Sequence, residues 1–570
     1  MVIGFFMHVK KILILLFCFL FASLAYGIEL QPIGKLPDKP FAHTIEFETT
    51  GEIRAHMVGG QYRFWAPDLN WSNLEKLYKS RNYQPLWLNN GYPTQRAHTA
   101  RDEILNAYLD GLDSNEYHSD ALRYMWNARR PVTKARLDIL LSDAFLRYAQ
   151  ELKAGYFNPQ SVDFDWKLPG KKINPINILN AFLDSNDAEI FLKGLAPKHP
   201  EYVALKKALF KYRKIAAQGG WKRIKRGTTL KPGDQGNRVK DLRHRLISEG
   251  YLSDSNLLLG FEDIYESTLE EAVRKYQLAN GLEVDGLIGG ATLRNINTGI
   301  NQRITEIKKN MERWRWLPDD LGQKYVMVNM AGYDLQMVVN EQSVLEMPVV
   351  VGKKTRPTPT FIDTMEYVEV NPTWKIPPRI AKEKFLPKLQ EDPKFLKANR
   401  LKVYNGWHKS AKEVDPETIN WSHYSENRWF PFKLEQSPGK HNSLGQIKFM
   451  FPNKYRIYLH DTPEKNLFAK QVRTYSAGCV RVSNPYELAG RMLQADGNWS
   501  AEKIKKLVDA GETQRIPLKN KWPVYLMYWT AWVDDSGIVN FRKDVYQRNK
   551  MIASGPEPDY NNIVLAQNSF

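Results

Sequence analysis

The spacing of apolar residues changes along the chain from a helical period to a period of two. Apolar residues recur three and four positions apart in the segments 71–78, 137–152 and 205–212, which predicts amphipathic helices. From Tyr325 onwards the pattern alternates in short runs, which predicts strands. We therefore expect a multidomain α+β protein whose first half is helical and whose second half is β-rich.

Stretches rich in Pro and Gly divide the helical half. Residues 28–64 are polar and are predicted to form a linker, and residues 65–222 a helical domain with Trp, Tyr and Leu in its core. Residues 228–298 contain three more helical patterns separated by Gly-containing turns. Residues 300–318 are predicted to be a connecting helix, which ends at Pro318.

The β-rich domain is predicted over residues 323–500. A C-terminal part, 501–547, is expected to pack on the preceding domains, and the polar tail, 548–570, to be loose. Between about 380 and 440 a charged segment interrupts the strands and is too long for an ordinary connection. Its aromatic residues argue against disorder, so we interpret it as a capping subdomain over a functional site, with a packing insert as the alternative. These aromatic residues are Trp407, Trp421, Tyr424, Trp429, Phe430 and Phe432.

Residues 1–27 have the composition of a secretory signal peptide. Lys10 and Lys11 precede the apolar run 12–21, and Ala25-Tyr26-Gly27 offers a small-x-small cleavage pattern. The apolar run is shorter than the roughly 20 residues that span a membrane, so an uncleaved anchor is the less favoured alternative. No other apolar stretch of about 18 residues occurs. We expect an exported, periplasmic chain whose mature form has no integral membrane segment.

Cysteine usage and charge are consistent with export. Cys18 lies in the predicted signal peptide, so Cys479 stays unpaired, which requires an explanation in an oxidising compartment. The formal net charge of +18 becomes +16 without Lys10 and Lys11, since residues 1–27 contain no acid. Such a surface suits a polyanion. An exported protein meets anionic cell-wall polymer before nucleic acid, and a merely basic solvated surface is the alternative.

One histidine and this cysteine are candidates for nucleophilic catalysis. Two-residue alternation in the strand-like run 455–460 places His460 beside Tyr458 and away from Leu459. Cys479 follows three small residues, Ser-Ala-Gly, which would let a substrate carbonyl approach. A thiol attacks as thiolate, and a histidine within hydrogen-bond reach is the usual means of deprotonating it. Cys479 is therefore a candidate nucleophile with His460 as its base, and a purely structural histidine is the alternative.

Residues 229–297 resemble the three-helix peptidoglycan-binding domain of bacterial cell-wall enzymes. The resemblance rests on Gly233-Asp234-Gln235-Gly236, Gly250-Tyr251-Leu252, Tyr276-Gln277 and the segment 280–289. It implies that this part of the chain binds peptidoglycan. A helical spacer without a ligand stays the alternative.

A second resemblance concerns the histidine and the cysteine. The chain has His460, then fifteen intervening residues, then Ser476-x-Gly478-Cys479-Val480-Arg481. This pattern resembles the signature of the L,D-transpeptidase catalytic domain. The order of domains is similar to that of the large periplasmic L,D-transpeptidases of Gram-negative bacteria, and the resemblance covers about residues 65–547. Where the usual signature has a second histidine this chain has Ala477, which puts a role for that side chain in doubt. Further matches are Val351-Gly352, Arg356-Pro357-Thr358-Pro359, Asn371-Pro372-Thr373-Trp374 and the segment 438–445.

The resemblance implies a cysteine acyltransferase that acts on peptidoglycan. Cys479 would attack the L-to-D bond between positions three and four of a donor tetrapeptide stem, release D-alanine and pass the acyl group to an acceptor stem as a 3→3 cross-link. Amides at Gly478 and Cys479 would stabilise the oxyanion. Arginines near the turn would hold substrate carboxylates or brace the turn. The residues expected around the catalytic pair are Gly478, Ser476, Tyr458, Arg481 and Arg473.

The resemblance also implies partners and inhibitors. Carbapenems would acylate the cysteine, and other cell-wall synthases are candidate protein partners. No cofactor, metal or nucleic acid is expected.

Other classes of function fit less well or stay open. A zinc peptidase needs clustered ligands, and the eleven histidines are scattered without an H-E-x-x-H motif. A serine penicillin-binding enzyme needs S-x-x-K with K-T-G; Ser500 and Lys503 fit the first, but no K-T-G occurs, and Ser500 fits a helix N-cap better. An L,D-carboxypeptidase, an enzyme that attaches a lipoprotein lysine, and a non-catalytic wall-binding scaffold stay open.

Overall fold

The computed structural model describes residues 40–257, 262–392, 394–425 and 429–552. Within these residues the chain divides into two compact units, one of residues 40–94 with 125–139 and one of residues 95–124 with 140–552. The predicted signal peptide, residues 1–27, and residues 553–570 of the predicted tail lie outside the described residues.

The first unit is built around a buried carboxylate. Asp138 accepts hydrogen bonds from the Tyr78 hydroxyl at 2.6 Å and from the main-chain N–H groups of Leu86 and Trp87 at 2.9 and 2.8 Å. Burial raises the pKa of Asp138 to about 6, and the hydrogen bonds to the charged form oppose the rise. The carboxylate thereby holds the start of a hairpin. The hairpin strands are β1 (Leu88–Asn89) and β2 (Tyr92–Pro93).

The prediction of a linker over residues 28–64 is wrong for residues 40–58, because they form the helix Pro40–Val58. From Thr44 onwards, where burial is described, the buried positions of this helix are Thr49, Ile53, His56 and Met57, which follow helical spacing. Two of the four are polar, so the apolar pattern that identifies a helix in a sequence is too weak here.

The rest of the predicted helical domain has helices where apolar spacing predicts them. The helices Pro131–Ala154 and Pro200–Ala217 contain the predicted segments 137–152 and 205–212. The other helices are Trp71–Lys79, Gln95–Leu105, Ser119–Met125, Pro159–Val162, Pro175–Asp184 and Ala188–Lys193.

Three helices occupy the region 228–298 in the predicted order and share one buried hydrophobic core. The connecting helix, Ile300–Arg315, follows and packs on Pro200–Ala217. Near its end Trp314 stacks on Trp529 of the β-rich part, with ring centroids 4.5 Å apart. The three helices are Asn237–Glu249, Ser267–Ala279 and Gly290–Ile296.

The β-rich part consists of a nine-stranded sheet, a four-stranded sheet and a hairpin. Its strands are β3 (Lys324–Asn329), β4 (Asp334–Val339), β5 (Gln342–Gly352), β6 (Phe361–Val370), β7 (Trp374–Lys375), β8 (Leu401–Tyr404), β9 (Glu413–Val414), β10 (Lys433–Gln436), β11 (Ile447–Met450), β12 (Leu459–His460), β13 (Thr474–Ser476), β14 (Val480–Val482), β15 (Gln514–Met527), β16 (Ala531–Val533) and β17 (Val539–Phe541). The large sheet has the order β13-β5-β14-β12-β11-β6-β15-β3-β4. Since β5 also pairs with β4, this sheet closes on itself.

The large sheet is buried on its inner face by its own side chains and by the helices Pro485–Gln494 and Ala501–Asp509. Strands β3 and β15 are buried on their outer face as well, by Pro200–Ala217 and Ile300–Arg315. Residues 325–330 are accordingly all buried. A strand covered on both faces does not need polar residues at alternate positions.

The interrupting segment, residues 380–440, forms a subdomain with its own sheet and core. The four-stranded sheet has the order β7-β10-β8-β9. The rings of Trp421, Phe430 and Phe432 pack together, with centroids 5.3 to 6.3 Å apart. Because β7 starts at Trp374, this subdomain begins earlier than predicted. Its helices are Pro378–Ile380, Leu386–Glu391 and Phe395–Ala398, with a π-helical turn at Ala381–Phe385.

The predicted domain boundary at residue 500 is wrong, because β15 lies inside the large sheet between β6 and β3. Pro517 and Pro523 obscure the first part of this strand in the sequence, since proline cannot donate to a ladder. The part from Val524 onwards belongs to a strand-like aromatic run. The register shifts between Pro517 and Trp522, and this irregularity accommodates the break. Residues 501–527 are therefore part of the β-rich domain, whereas the hairpin of β16 and β17 packs with the helices Pro200–Ala217 and Ile300–Arg315.

The prediction that residues 548–570 form a loose tail is wrong for the first residues of this range. Arg548, which is 5% exposed, donates to the Thr360 hydroxyl at 2.9 Å and to the Thr358 carbonyl at 2.8 Å. It also forms ion pairs with Asp163 at 3.7 Å and Asp165 at 3.1 Å. A polar residue of the tail that was predicted to be loose is instead buried, because carboxylates and carbonyls surround it.

Replacing Arg548 by alanine is expected to lower the free energy of unfolding by about 3 kcal/mol, because Asp163 would stay buried without this ion pair. The matched control is Arg491→Ala, which removes an exposed pair with Glu487 and should cost less than about 1 kcal/mol. Urea unfolding followed by tryptophan fluorescence measures both. Equal, small losses would contradict the buried anchor.

Candidate active site

Cys479 lies in a tight turn between two strands that both pair with β5. β13 pairs with β5 in parallel and β14 pairs with it in antiparallel orientation, so the turn lies at the end of β5. Gly478 has a φ of +124°, a conformation that residues with a Cβ avoid. The glycine before the cysteine is thus a backbone requirement of the turn.

Two hydroxyl groups hold this turn. The Ser476 hydroxyl accepts the Gly478 N–H at 3.1 Å and donates to the Cys479 carbonyl at 2.5 Å. The Thr358 hydroxyl donates to the Gly478 carbonyl at 2.7 Å and accepts the Gly352 N–H at 2.9 Å. Ser476 therefore shapes the turn. The main-chain N–H groups of Gly478 and Cys479 were both predicted to stabilise the oxyanion. The Gly478 N–H already donates to Ser476, whereas the Cys479 N–H takes part in none of these four bonds.

The Cys479 thiol is half-buried beside Tyr458. Its Sγ lies 3.7 Å from the carbonyl oxygen of Arg456, and the main-chain N–H and the hydroxyl of Tyr458 hydrogen-bond to the sulfur. Burial raises the pKa of the thiol, while the bonds from Tyr458 and the cations Lys448 and Arg481 oppose the rise. At neutral pH the resting thiol is protonated and needs a base to attack.

His460 is a buried, neutral histidine at the end of β12. It is 5% exposed, and its Nδ1 hydrogen-bonds to the carbonyl oxygen of Asp461. A carbonyl oxygen only accepts, so Nδ1 carries the proton and Nε2 keeps its lone pair. Burial and the cations Arg481 and Lys448 lower the pKa of His460 to about 3. The neutral ring can accept a proton at pH 7.

Strand register puts the histidine and the cysteine on one face of the sheet. Between the parallel strands β12 and β14, Leu459 is opposite Val480 and His460 is opposite Arg481. Leu459 and Val480 are 0% exposed in the core. By alternation, His460, Arg481 and Cys479 face the opposite side, and all three line the same cleft.

The strand that leads into His460 is shorter than the predicted run 455–460. Arg456 has a φ of +58° and interrupts the extended backbone, so only Leu459–His460 belongs to the sheet. The predicted neighbour relation still holds at the end of the run. The rings of Tyr458 and His460 lie with their centroids 5.6 Å apart.

The two arginines predicted near the turn differ in their surroundings. Arg473 donates to the main-chain carbonyls of Val349 and Tyr333 at 3.1 and 2.9 Å, so it braces the turn. Arg481 lines the cleft and forms an ion pair with Glu464. Its Nε is buried with no hydrogen-bond partner among the described residues. Of the two arginines, Arg481 is therefore the one that faces the cleft.

A cleft of about 1230 Å³ opens over this face of the sheet, between the catalytic strands and the capping subdomain. Its wall includes Pro377, Ile380 and the half-exposed Trp407 of the subdomain. Cations outnumber carboxylates along its lining, which favours an anionic ligand. The cations are Lys353, Arg356, Lys375, Arg379, Lys384, Lys448, Arg456, Arg481 and Arg515, and the carboxylates are Glu369, Glu383 and Glu435.

Two residues of the site were not singled out from the sequence. Thr358 lies in a segment that matched a family pattern but carried no predicted role. Lys448 alternates with the buried Ile447 and Phe449, which signals an outward side chain. Its position directly opposite His460 depends on strand register, which the sequence does not provide.

A metal site, a membrane-spanning helix and the role of Ser500 each concern the part of the chain that the structure describes. In that part no three His, Cys, Asp or Glu side chains are grouped as a metal site requires, and no helix is long and apolar enough to cross a membrane. The Ser500 hydroxyl accepts the Lys503 N–H at 3.2 Å. Ser500 is therefore the predicted helix N-cap.

Three segments of the chain match known domain families. Residues 323–511 match the L,D-transpeptidase catalytic domain, residues 72–209 match a scaffold domain, and residues 235–296 match the "Putative peptidoglycan binding domain". A Haemophilus influenzae protein named "Putative L,D-transpeptidase" is 33% identical over 258 residues, which are 45% of this chain and 51% of that protein. The chain thus spans about half the length of this curated relative.

Solved structures with L,D-transpeptidase in their names show a weaker likeness. One from Xylanimonas cellulosilytica is 15% identical, covers 53% of this chain and 99% of its own, and has a TM-score of 0.16. One from Mycobacterium smegmatis is 10% identical, covers 36% of this chain and 58% of its own, and has a TM-score of 0.17. Scores this low carry no structural argument.

Alkylation of Cys479 by iodoacetamide is expected to become about tenfold faster per pH unit between pH 6 and pH 8. The reason is that the raised pKa leaves the thiol protonated over this range, so the thiolate fraction grows with pH. Intact-mass kinetics measures the rate, and Cys479→Ala is the blank. A pH-independent plateau at low pH would reveal a resting thiolate–imidazolium pair and contradict the neutral pair.

Proposed function

We propose that the L,D-transpeptidase catalytic domain of this chain, residues 323–511, joins peptidoglycan stem peptides by 3→3 cross-links, with Cys479 as nucleophile and His460 as base. The chain carries this domain after a scaffold domain and a peptidoglycan-binding domain. The observation that carries the proposal is the shared sheet face on which the thiol and the neutral imidazole line a cationic cleft.

The first half of the proposed reaction starts from two neutral groups. Nε2 of His460 accepts the thiol proton while Sγ of Cys479 attacks the carbonyl carbon of the third residue of a donor tetrapeptide. The C–N bond to D-alanine breaks, and the proton passes from His460 to the leaving amine. A thioester on Cys479 remains. The Cys479 N–H is an amide available to stabilise the oxyanion.

In the second half an acceptor amine attacks the thioester. His460 takes the amine proton, the C–S bond breaks, and the proton returns to the Cys479 thiolate. The product contains an amide bond between the third residues of two stems. The cationic lining supports this substrate, because stem peptides carry free carboxylates.

The acceptor decides between related reactions of the same thioester. Water in place of the amine would give an L,D-carboxypeptidase, and a lysine of a lipoprotein would give protein attachment. A wall-binding scaffold without catalysis would form no thioester. The products of one reaction distinguish these four outcomes.

The periplasm is the proposed place of action. The predicted signal peptide, residues 1–27, supports export, and the match of residues 235–296 supports contact with peptidoglycan. Other cell-wall synthases are proposed as partners there. Carbapenems are expected to acylate Cys479 by the same attack.

The full chain given tetrapeptide muropeptides is expected to form 3→3 dimers and to release D-alanine in equal amount. Fragmentation of the products by mass spectrometry identifies the cross-link. Cys479→Ala should form none, and His460→Gln should be slower by at least about 100-fold, because it removes the proton acceptor. Tripeptides without dimers would indicate the carboxypeptidase. Identical products from wild type and Cys479→Ala would contradict the proposal.

A further inference from the structure

A row of charged side chains crosses the floor of the cleft away from His460. Strand register places Lys448 opposite His460, Glu369 opposite Lys448 and Arg515 opposite Glu369. All four line the cleft. Neighbouring strands are about 4.8 Å apart, so Arg515 lies roughly 14 Å from His460 across three strand spacings.

Only the Nε end of the Arg515 guanidinium group is hydrogen-bonded, and its two terminal nitrogens remain able to donate to a ligand. Its Nε donates to Glu369 at 3.2 Å, and its guanidinium carbon lies 5.3 Å from the centroid of the Tyr367 ring. The Arg515 side chain is 66% exposed, whereas that of Glu369 is 9% exposed. Among the described residues we find no acceptor for the two terminal nitrogens. They present the forked pair of donors that matches a carboxylate.

Lys448 is not available in the same way. Its ammonium lies 4.0 Å from Glu369 and 4.3 Å from the centroid of the Tyr458 ring, and its side chain is 15% exposed. It is thus packed between a carboxylate and an aromatic face. Within this row Arg515 is the cation that an anionic ligand can reach.

We propose that Arg515, oriented by Glu369, binds a free carboxylate of a peptidoglycan stem whose reacting group lies at Cys479. The inference rests on the proposed function and adds a recognition site to it. The cysteine turn leads into β14, one strand spacing beyond His460, so the main chain at Arg515 lies roughly 19 Å from it across four spacings. The arginine side chain itself spans several ångströms of this distance, and about four extended residues cover roughly 14 Å, so a single stem peptide reaches from the thiol to the guanidinium group. Donor and acceptor stems carry the same carboxylate chemistry, and either can occupy the site.

The chain offers a matched control for this residue. Lys521 is a second surface cation of the same strand, 54% exposed and 3.7 Å from Glu366 of β6, but it does not line the cleft. Arg515→Gln is expected to raise KM about tenfold with kcat changed less than about twofold, the effect of losing a charge-assisted hydrogen bond at an exposed site. Lys521→Gln should leave both constants unchanged. Unchanged KM in Arg515→Gln, or an equal rise in both variants, overturns the proposal.

Amidated stems identify the group that is recognised. The KM of wild type should rise about tenfold when the free stem carboxylates are converted to amides. The KM of Arg515→Gln should not change on amidation. Amidating only the donor or only an isotope-labelled acceptor shows which stem occupies the site. Equal sensitivity of wild type and Arg515→Gln to both amidated stems contradicts a contact with Arg515.

Binding to an inactive chain separates this inference from the proposed reaction. Calorimetry on full-length Cys479→Ala, with and without Arg515→Gln, measures the affinity for the tetrapeptide stem without turnover. A tenfold loss of affinity supports the carboxylate site even if wild type forms no cross-links. No loss overturns the site even if cross-links form. Iodoacetamide alkylation at an unchanged rate in Arg515→Gln confirms that the thiol itself is undisturbed.

Discussion

The parallel pairing of β12 with β14 is the constraint on which the catalytic arrangement depends. It fixes His460 opposite Arg481 and, one residue earlier in each strand, sets Leu459 against Val480 in the core. Side chains alternate with a period of two, so a slip of one residue would bury the histidine in the hydrophobic layer and expose a leucine. The two strands are joined by a crossover, and Arg473 braces its end through main-chain carbonyls. Catalytic geometry and core packing are therefore set by the same register.

Burial determines the protonation states of the catalytic pair. The neighbouring cations alone would favour a thiolate, but burial of Cys479 has the larger effect and raises the pKa of its thiol. For His460, burial and the cations act in the same direction and lower the pKa to about 3. Both groups are neutral at rest, so in the proposed reaction the proton moves only as Cys479 attacks. In the proposed reaction the cationic cleft attracts and holds an anionic substrate.

How far the sequence predicts this protein depends on whether a feature is local. Periodicity predicts the helices and strands whose buried residues are apolar, and local spacing predicts the neighbour relation between Tyr458 and His460. It fails for the helix Pro40–Val58, where polar residues are buried, and for the first part of β15, where prolines mask a strand in the sheet. In both cases tertiary contacts override the local signal.

The finer parts of the site depend on contacts between residues far apart in sequence. Thr358 reaches the cysteine turn from more than a hundred positions away, and Arg548 is buried by carboxylates of the helical region. Single-sequence patterns contain no signal for such pairs. The proposed nucleophile and base could be named from the sequence because their chemistry restricts the residue types, whereas the residues that orient them require the register.

The most direct test is the intact mass of the full chain during turnover with a tetrapeptide stem, followed by mapping of the adduct. The expected species carries the mass of the stem less D-alanine on the peptide that contains Cys479, and it disappears when acceptor stem is added. Cross-linked product that accumulates while every adduct lies elsewhere, or while Cys479→Ala is as active as wild type, would contradict acyl transfer through this cysteine.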